Sequence, residues 1–153
     1  MGTKPAGLSN EAIQEYAELV GEHHKVYSEE GRADVSDLLA KLGGVCDYAR
    51  NNESLHIRER GDFTIYTPPF SSDRRDRFTK AHELGHYFLH FLYQGGKGED
   101  IHFHRGGGDR AETEANVFAS ALLMPSVMFT KAFEELEGNI VDIARRFDVS
   151  PAS

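Results

Sequence analysis

The chain has 153 residues, 39 % of them hydrophobic, a length and composition that allow one domain with its own core. A single cysteine excludes an intramolecular disulfide and agrees with a reducing compartment. The formal net charge of −8 disfavours direct binding to nucleic acid, which usually needs a basic face. The first eight residues lack the apolar run of a signal peptide, and no segment approaches the ~20 apolar residues of a membrane-spanning helix. We therefore expect a cytoplasmic protein that contacts neither nucleic acid nor a membrane.

Apolar residues recur at helical spacing in most of the chain and at strand-like spacing in one short region. The predicted helices cover residues 10–22, 36–42, 76–93, 109–125, 126–137 and 139–147. The predicted strands cover residues 45–48, 54–59 and 63–67. Strands grouped between helices are typical of an α+β fold, whereas alternating strands and helices would indicate an α/β fold. We expect a small, twisted, mostly antiparallel sheet packed against a helical bundle, in a single domain over residues 1–153.

The motif that carries chemistry is His-Glu-Leu-Gly-His at residues 82–86, which matches H-E-x-x-H. On a helix, His82 and His86 lie about 40° apart around the axis, so both imidazoles can reach one ion. Glu83 lies roughly 100° round from His82, where it can act on a water beside the ion without being a ligand. Neutral imidazoles suit zinc, which prefers nitrogen, sulfur and carboxylate donors. The motif predicts one zinc ion per chain, with two histidine ligands and Glu83 as the general base.

A catalytic zinc site needs a third protein ligand and keeps its fourth position for water. The metzincin extension of the motif would need Gly at position 89 and His at position 92, but Leu89 and Leu92 stand there. The remaining route is a carboxylate from a later helix. Residues 111–116 offer two such carboxylates, Glu112 and Glu114.

The two glutamates are expected on different faces of that helix. Glu112 shares its face with residues at i, i+3, i+4 and i+7 spacing, namely Ala115, Asn116, Ala119, Leu122 and Leu123. Glu114 lies about 200° away, on the opposite face. We therefore expect Glu112 to be the third ligand, and Asn116 to orient a ligand histidine through its other ring nitrogen. The small side chains of Ala115 and Ala119 would let this helix approach the histidine helix closely.

Four segments of the sequence resemble one known family. They are residues 77–86 (Arg-Phe-Thr-Lys-Ala-His-Glu-Leu-Gly-His), 112–119 (Glu-Thr-Glu-Ala-Asn-Val-Phe-Ala), 122–125 (Leu-Leu-Met-Pro) and 143–150 (Ile-Ala-Arg-Arg-Phe-Asp-Val-Ser). Together they resemble the ImmA/IrrE metallopeptidase family, over about residues 61–150. In similar gluzincin-type peptidases a later Glu-x-x-x-Asp/Asn motif supplies the glutamate ligand, and the resemblance implies this role for Glu112.

The resemblance also implies an activity and a partner. Such proteins are typically encoded in bacteria, their phages and mobile elements, and they cleave a helix-turn-helix repressor to release a stress or excision programme. We therefore expect a zinc metalloendopeptidase whose substrate is such a repressor. The family usually continues past the Val-Ser segment with another helix, whereas this chain stops at Ser153. The expectation is thus either a truncated chain or a missing partner-binding tail.

Other residues are candidates for smaller roles around the zinc. His90 lies one turn beyond His86, where it could contact the ring nitrogen of His86 that faces away from the zinc, although a partly buried position at the helix end is the alternative. His102 or His104 could lie over the zinc and stabilise an oxyanion, although a polar surface position is the alternative for both. The strand that ends at two prolines could be the edge on which an extended peptide aligns, and its residues are Phe63, Thr64, Ile65 and Tyr66.

Two other functions stay open on the sequence alone. The chain could be a zinc-binding regulatory or toxin–antitoxin partner that acts by binding, with little peptidase activity. Residues 139–153 could instead form half of a DNA-reading helix-turn-helix, a function that the net charge of −8 disfavours.

Overall fold

A computed structural model describes residues 3–49, 53–96, 100–104 and 109–151, and for His104 it describes the backbone alone. The helices in these ranges are α1 (Asn10–His23), α2 (Val35–Lys41), α3 (Asp73–Tyr87), α4 (Arg110–Leu123), α5 (Ser126–Glu135) and α6 (Ile140–Phe147). The strands are β1 (Gly44–Tyr48), β2 (Ser54–Glu59), β3 (Asp62–Thr67) and β4 (Ile101–His104). A π-helical segment, Phe88–Leu92, continues α3. The predicted α+β fold is confirmed.

Short polar side chains fix where α1, α2, α3, α4 and α6 begin, because each accepts a hydrogen bond from an amide that has no partner inside its helix. Ser72 accepts from the amide of Arg75 and starts α3 at Asp73, three residues before the predicted position. Asp109 accepts from the amide of Glu112 and starts α4. This second cap matters for the site, since it sets the position of Glu112 in the first turn of α4.

The four strands form one mixed sheet in the order β1-β3-β2-β4. β3 runs parallel to β1 and antiparallel to β2, and β2 also pairs antiparallel with β4. The prediction that residues 63–66 form an exposed sheet edge is therefore wrong, because β3 has hydrogen-bonded neighbours on both sides. Phe63, Thr64 and Ile65 are buried, and Tyr66 pairs with Ser54 of β2 and Asp47 of β1.

The inner face of the sheet packs on α3, and this contact forms the main core. Leu55 and Ile57 of β2 and Phe63 and Ile65 of β3 are fully buried. The ring of Phe63 stacks on that of Tyr87 with centroids 4.1 Å apart. Burial of each such side chain stabilises the fold by about 1.5–3 kcal/mol. The sheet thereby holds α3, which carries the histidine motif, as a rigid support.

On its other side α3 packs against α4 at very short range. A Cβ added to Gly85 would lie 3.0 Å from the carbonyl oxygen of Ala115 and 3.1 Å from its Cα. Ala115 and Ala119 are themselves fully buried. The small residues thus allow the close helix contact that their size predicts, and this contact brings the first turn of α4 beside the histidines.

Within the described ranges, no single helix is long and apolar enough to span a membrane; only α4 and α5 together, bent by 56°, reach that length and composition.

Candidate metal centre

The three predicted ligands meet between α3 and the start of α4. His82 and His86 are buried, with 2 % and 1 % of their surface exposed, and Glu112 reaches them from the neighbouring helix. Nε2 of His82 lies 3.0 Å from Oε2 of Glu112, and Nε2 of His86 lies 3.0 Å from Oε1 of the same carboxylate. One carboxylate therefore faces both imidazoles.

The three side chains fit a zinc ion by donor type and by spacing. Their ligand atoms all lie within 4.8 Å of one another. Tetrahedral zinc with bonds near 2.0–2.1 Å would hold its ligand atoms about 3.3 Å apart, close to the two contacts of Glu112. Two unprotonated ring nitrogens facing a carboxylate would repel it unless a proton or a cation lay between them. The arrangement is therefore suited to a cation, and the donor set is that of a catalytic zinc site.

Glu83 lies beside this cluster and is completely buried. Its Oε1 is 4.0 Å from Nε2 of His82, at the side of the two histidines that faces Glu112. This distance is too long for a hydrogen bond, as expected for a carboxylate that acts next to a metal ligand rather than as one. The structure thus brings the three predicted ligands together and places Glu83 beside one of them, His82.

A side chain of α4 orients the ring of His82 through the ring nitrogen that faces away from the cluster. Its Nδ1 lies 2.8 Å from Oδ1 of Asn116, and an amide oxygen can only accept, so Nδ1 carries the proton. Nε2 of His82 then keeps its lone pair and presents it to the cluster. Asn116 therefore has the contact that was predicted for it, a hydrogen bond that fixes the tautomer of a ligand histidine.

His86 is oriented by a longer chain of hydrogen bonds. Its Nδ1 lies 2.8 Å from Nδ1 of His90, and Nε2 of His90 lies 2.8 Å from Oε1 of Glu114. The carboxylate of Glu114 also accepts from the amides of Ala6 and Gly7, at 2.8 and 2.9 Å. Because Glu114 accepts from His90, the other nitrogen of His90 accepts from His86. The Nε2 atom of His86 is therefore the one that can bind a metal, once the ion takes the place of the proton that Nε2 shares with Glu112. We call His90 and Glu114 the outer relay.

The face of α4 on which the sequence placed Glu114, opposite Glu112, is buried, although the pattern gave no sign of this. The surface of Glu114 is only 3 % exposed, because the N-terminal segment before α1 covers that face of α4 and bonds to the carboxylate. Helical periodicity shows which residues share a face, but it does not show which distant segment of the chain packs over that face. The prediction that His90 contacts a ligand histidine agrees with the observed bond, and the π-helical segment carries this residue.

Hydrogen bonding outweighs burial at both carboxylates. Burial tends to raise the pKa of Glu112, but the bond from His86 and the charge of His82 leave that pKa below its ordinary value. Burial also tends to raise the pKa of Glu114, and bonds from His90, Ala6 and Gly7 again leave it lowered. Burial lowers the pKa of His90 despite the opposing effect of Glu114. Both carboxylates are therefore ionised and His90 is neutral at pH 7.

Strand β4 supplies a different residue from those predicted. The ring of Phe103 stacks on that of His86 with centroids 5.3 Å apart and planes inclined by 12°. His102 points to the opposite face of the strand, where it is exposed and its ring stacks on that of His56. Of the two expectations for His102, the structure therefore agrees with the polar surface position and contradicts the one that lies over the zinc. For His104 the predicted role concerns a side chain outside the described part of the structure. Phe103 was missed, although it is the apolar residue of an alternating His-Phe-His stretch.

Comparison with known proteins agrees with this geometry. A family model described as the IrrE N-terminal-like domain of the M78 peptidases matches residues 50–153, more than half of the chain. The chain belongs to this peptidase family, as the resemblance of its motifs predicted. No curated protein sequence matches it. The first 49 residues, which provide α1 and two partners of Glu114, lie outside the matched region.

Proposed function

We propose that the chain is a zinc-dependent endopeptidase. The observation that carries the proposal is the convergence of His82, His86 and Glu112, with their ligand atoms within 4.8 Å, next to the buried carboxylate of Glu83. Membership of a peptidase family supports the reaction class. His82, His86 and Glu112 would hold the ion.

Each residue has a separate task in the reaction. Zinc, when bound, supplies a Lewis acid that polarises the scissile carbonyl and makes water more acidic. Glu83 accepts the proton of the attacking water and passes it to the leaving nitrogen as the peptide bond breaks. Burial of Glu83 excludes bulk water from this transfer. Asn116 and His90 hold the two imidazoles in the tautomer that leaves Nε2 unprotonated.

The strand that aligns the substrate is proposed to be β4. It lies at one end of the strand order, and its residue Phe103 contacts the ligand His86. A peptide added along this edge would run past the metal centre while its main chain pairs with β4. The proposed edge thus replaces β3, which lies inside the sheet.

The substrate is proposed to be a helix-turn-helix repressor. What supports this choice is the likeness of residues 77–86 and 112–119 to the ImmA/IrrE family. A repressor encoded beside the gene of this chain is the substrate to test first.

The proposal is tested by Glu83→Gln, which keeps the shape of the side chain and removes its basicity. General-base catalysis contributes ~10²–10⁴-fold, so we expect cleavage of the neighbouring repressor to fall at least about 100-fold. Zinc content should not change, since Glu83 is not a ligand. Glu59→Gln, an exposed residue of β2, is the matched control and should cleave like the unaltered chain.

Two outcomes would contradict the proposal. One is cleavage by the Glu83→Gln variant at the unaltered rate, which would remove Glu83 from the mechanism. The other is an intact repressor held in a stable complex by the zinc-loaded chain, which would favour a binding function over peptidase activity.

A further inference from the structure

A second group of potential ligands lies on the outer face of the sheet. His56 of β2 stands directly opposite His102 of β4 in the antiparallel ladder, and Asp100 lies two residues before His102. Residues two apart on a strand share a face, so all three side chains meet on one side. Phe103 points to the other side, onto His86, and therefore the sheet separates this group from the metal centre.

The three side chains are already close enough to share an ion. Their ligand atoms lie within 4.8 Å of one another. Nε2 of His56 is 2.5 Å from Oδ1 of Asp100, and the rings of His56 and His102 stack with centroids 3.9 Å apart. A zinc ion would hold its ligand atoms about 3.3 Å apart, and small side-chain rotations would bring these three ligand atoms to that spacing. Asp100 and His102 are exposed to solvent.

Charge also favours a cation at this place. The two imidazole rings stack with their centroids 3.9 Å apart, so a cation bound between the strands would lie within reach of a nitrogen from each ring. The bond to His56 lowers the pKa of Asp100, which is ionised at neutral pH. The guanidinium of Arg58, the nearest positive group on β2, is engaged by Asp62 at 2.9 Å. The net charge of the whole chain is −8.

We propose that His56, Asp100 and His102 form a second binding site for a divalent transition metal, on the face of the sheet opposite the metal centre. Two imidazoles and one carboxylate suit zinc and its first-row neighbours better than magnesium or calcium. The site is more exposed than the centre between α3 and α4, so it binds more weakly.

Such an ion would join β4 to β2 through side chains. Among the described residues, β4 is four residues long and pairs with β2 alone. A cation held by His56 on one strand and by Asp100 and His102 on the other reinforces that single pairing. It thereby steadies Phe103 against His86. The effect of the ion on substrate alignment rests on the proposed function, because β4 is the edge proposed to align the substrate. Binding of the ion itself does not depend on that function.

The experiment is a zinc titration at pH 7.5 against a chromophoric chelator, with the unaltered chain, His56→Ala, His102→Ala and Asp100→Asn. We expect a tight equivalent and a weaker one for the unaltered chain. The two histidine variants should keep the tight equivalent and lose the weaker one. Asp100→Asn, at a 70 % exposed side chain, cannot disturb the core, and it should weaken the second equivalent at least tenfold. His23→Ala, at an exposed histidine of α1, is the control and should bind both.

A second measurement follows the amides of β4 by hydrogen exchange. Exchange at Ile101 and Phe103 should slow when the weaker equivalent binds, and not in His102→Ala. The inference is overturned if the unaltered chain binds one equivalent, if the weaker equivalent survives in His56→Ala and His102→Ala, or if only His23→Ala removes it. Loss of the tight equivalent in His86→Ala, with the weaker one retained, separates this site from the proposed catalytic one.

Discussion

Glu112 and Glu114 lie two positions apart on α4 and both bond to histidines of the preceding helical segment. Glu112 contacts the Nε2 atoms of His82 and His86, where a metal would bind. Glu114 contacts His90, which in turn contacts the back of His86. The two carboxylates therefore act on the same imidazole from opposite sides, one as a proposed ligand and one through the outer relay.

The outer relay predicts a specific effect of His90→Ala. Loss of His90 leaves Nδ1 of His86 without its acceptor and lets the ring turn or change tautomer. Groups that orient a ligand histidine typically contribute about 10–100-fold in metal affinity, and we expect a loss of zinc affinity in that range. The measurement is a titration of the tight zinc equivalent against a strong chelator.

Arg110→Ala is the control for this variant. The Nε atom of Arg110 lies 3.8 Å from the carboxylate of Glu114, but its side chain is 64 % exposed, so the interaction is screened and weak. Zinc affinity should stay within about twofold of the unaltered chain. Equal affinity in His90→Ala and Arg110→Ala would show that the outer relay does not support the metal centre.

Glu114 also predicts how stability depends on pH in the metal-free chain. Its pKa in the folded state is below the ordinary value of 4.5. The stability that this shift contributes is fully present above pH 4.5 and is lost as the pH falls through the lowered folded-state pKa. Glu114→Gln should therefore be less stable than the unaltered chain at pH 7, with the difference shrinking below pH 4.5. Urea unfolding at a series of pH values measures this, and a difference independent of pH would contradict it.

At the scale of residues, the sequence predicted the candidate metal centre better than its surroundings. His82, Glu83, His86, Glu112 and Asn116 follow from spacing on two helices, and the structure brings them together. The burial of Glu114 could not be predicted because its partners, Ala6 and Gly7, lie more than 100 positions away. Nothing in helical spacing specifies which segment covers the second face of a helix.

At the scale of elements, the contact between α3 and α4 fixes the distance between the histidines and Glu112. Gly85→Ala tests this contact, because helix propensity and the contact predict opposite changes in stability. Alanine is the better helix former by about 0.8–1.0 kcal/mol, so α3 considered alone would gain stability. The added Cβ, however, would lie 3.0 Å from the backbone of Ala115 and push α4 outwards. We expect a lower melting temperature and weaker zinc binding, measured by calorimetry and chelator competition.

Ser120→Ala on α4 is the control, since Ser120 is half-buried and gains no atom in the substitution. Its zinc affinity should be unchanged. A rise in melting temperature for Gly85→Ala, with zinc binding intact, would show that α4 has room to move without disturbing the centre.

Elements that depend on local signals were predicted, and those that depend on distant contacts were not. The helices and the first three strands follow from periodicity, caps and turns. The π-helical segment Phe88–Leu92 reads like a continuation of α3, because its residues are apolar in either form. β4 has four residues, and its pairing with β2 joins positions more than 40 residues apart. Such a short strand is defined by its partner more than by its own sequence.

At the scale of the whole molecule, the order of the strands decides which of them can meet a substrate. Chain order suggests that β3, the last strand before α3, lies at an edge. The parallel pairing of β1 with β3 and the addition of β4 beside β2 place it inside instead. The family match covers the sheet from β2 onwards and α3 to α6, whereas α1, α2 and β1 are added by the first 49 residues.

The central claim is that His82, His86 and Glu112 hold one zinc ion beside Glu83. The most direct test is a crystal structure of the zinc-loaded chain with anomalous data collected on both sides of the zinc absorption edge. We predict the strongest anomalous peak about 2.0–2.2 Å from Nε2 of His82, Nε2 of His86 and a carboxylate oxygen of Glu112. A peak without Glu112 among its ligands, or the absence of a peak between α3 and α4, would contradict the account.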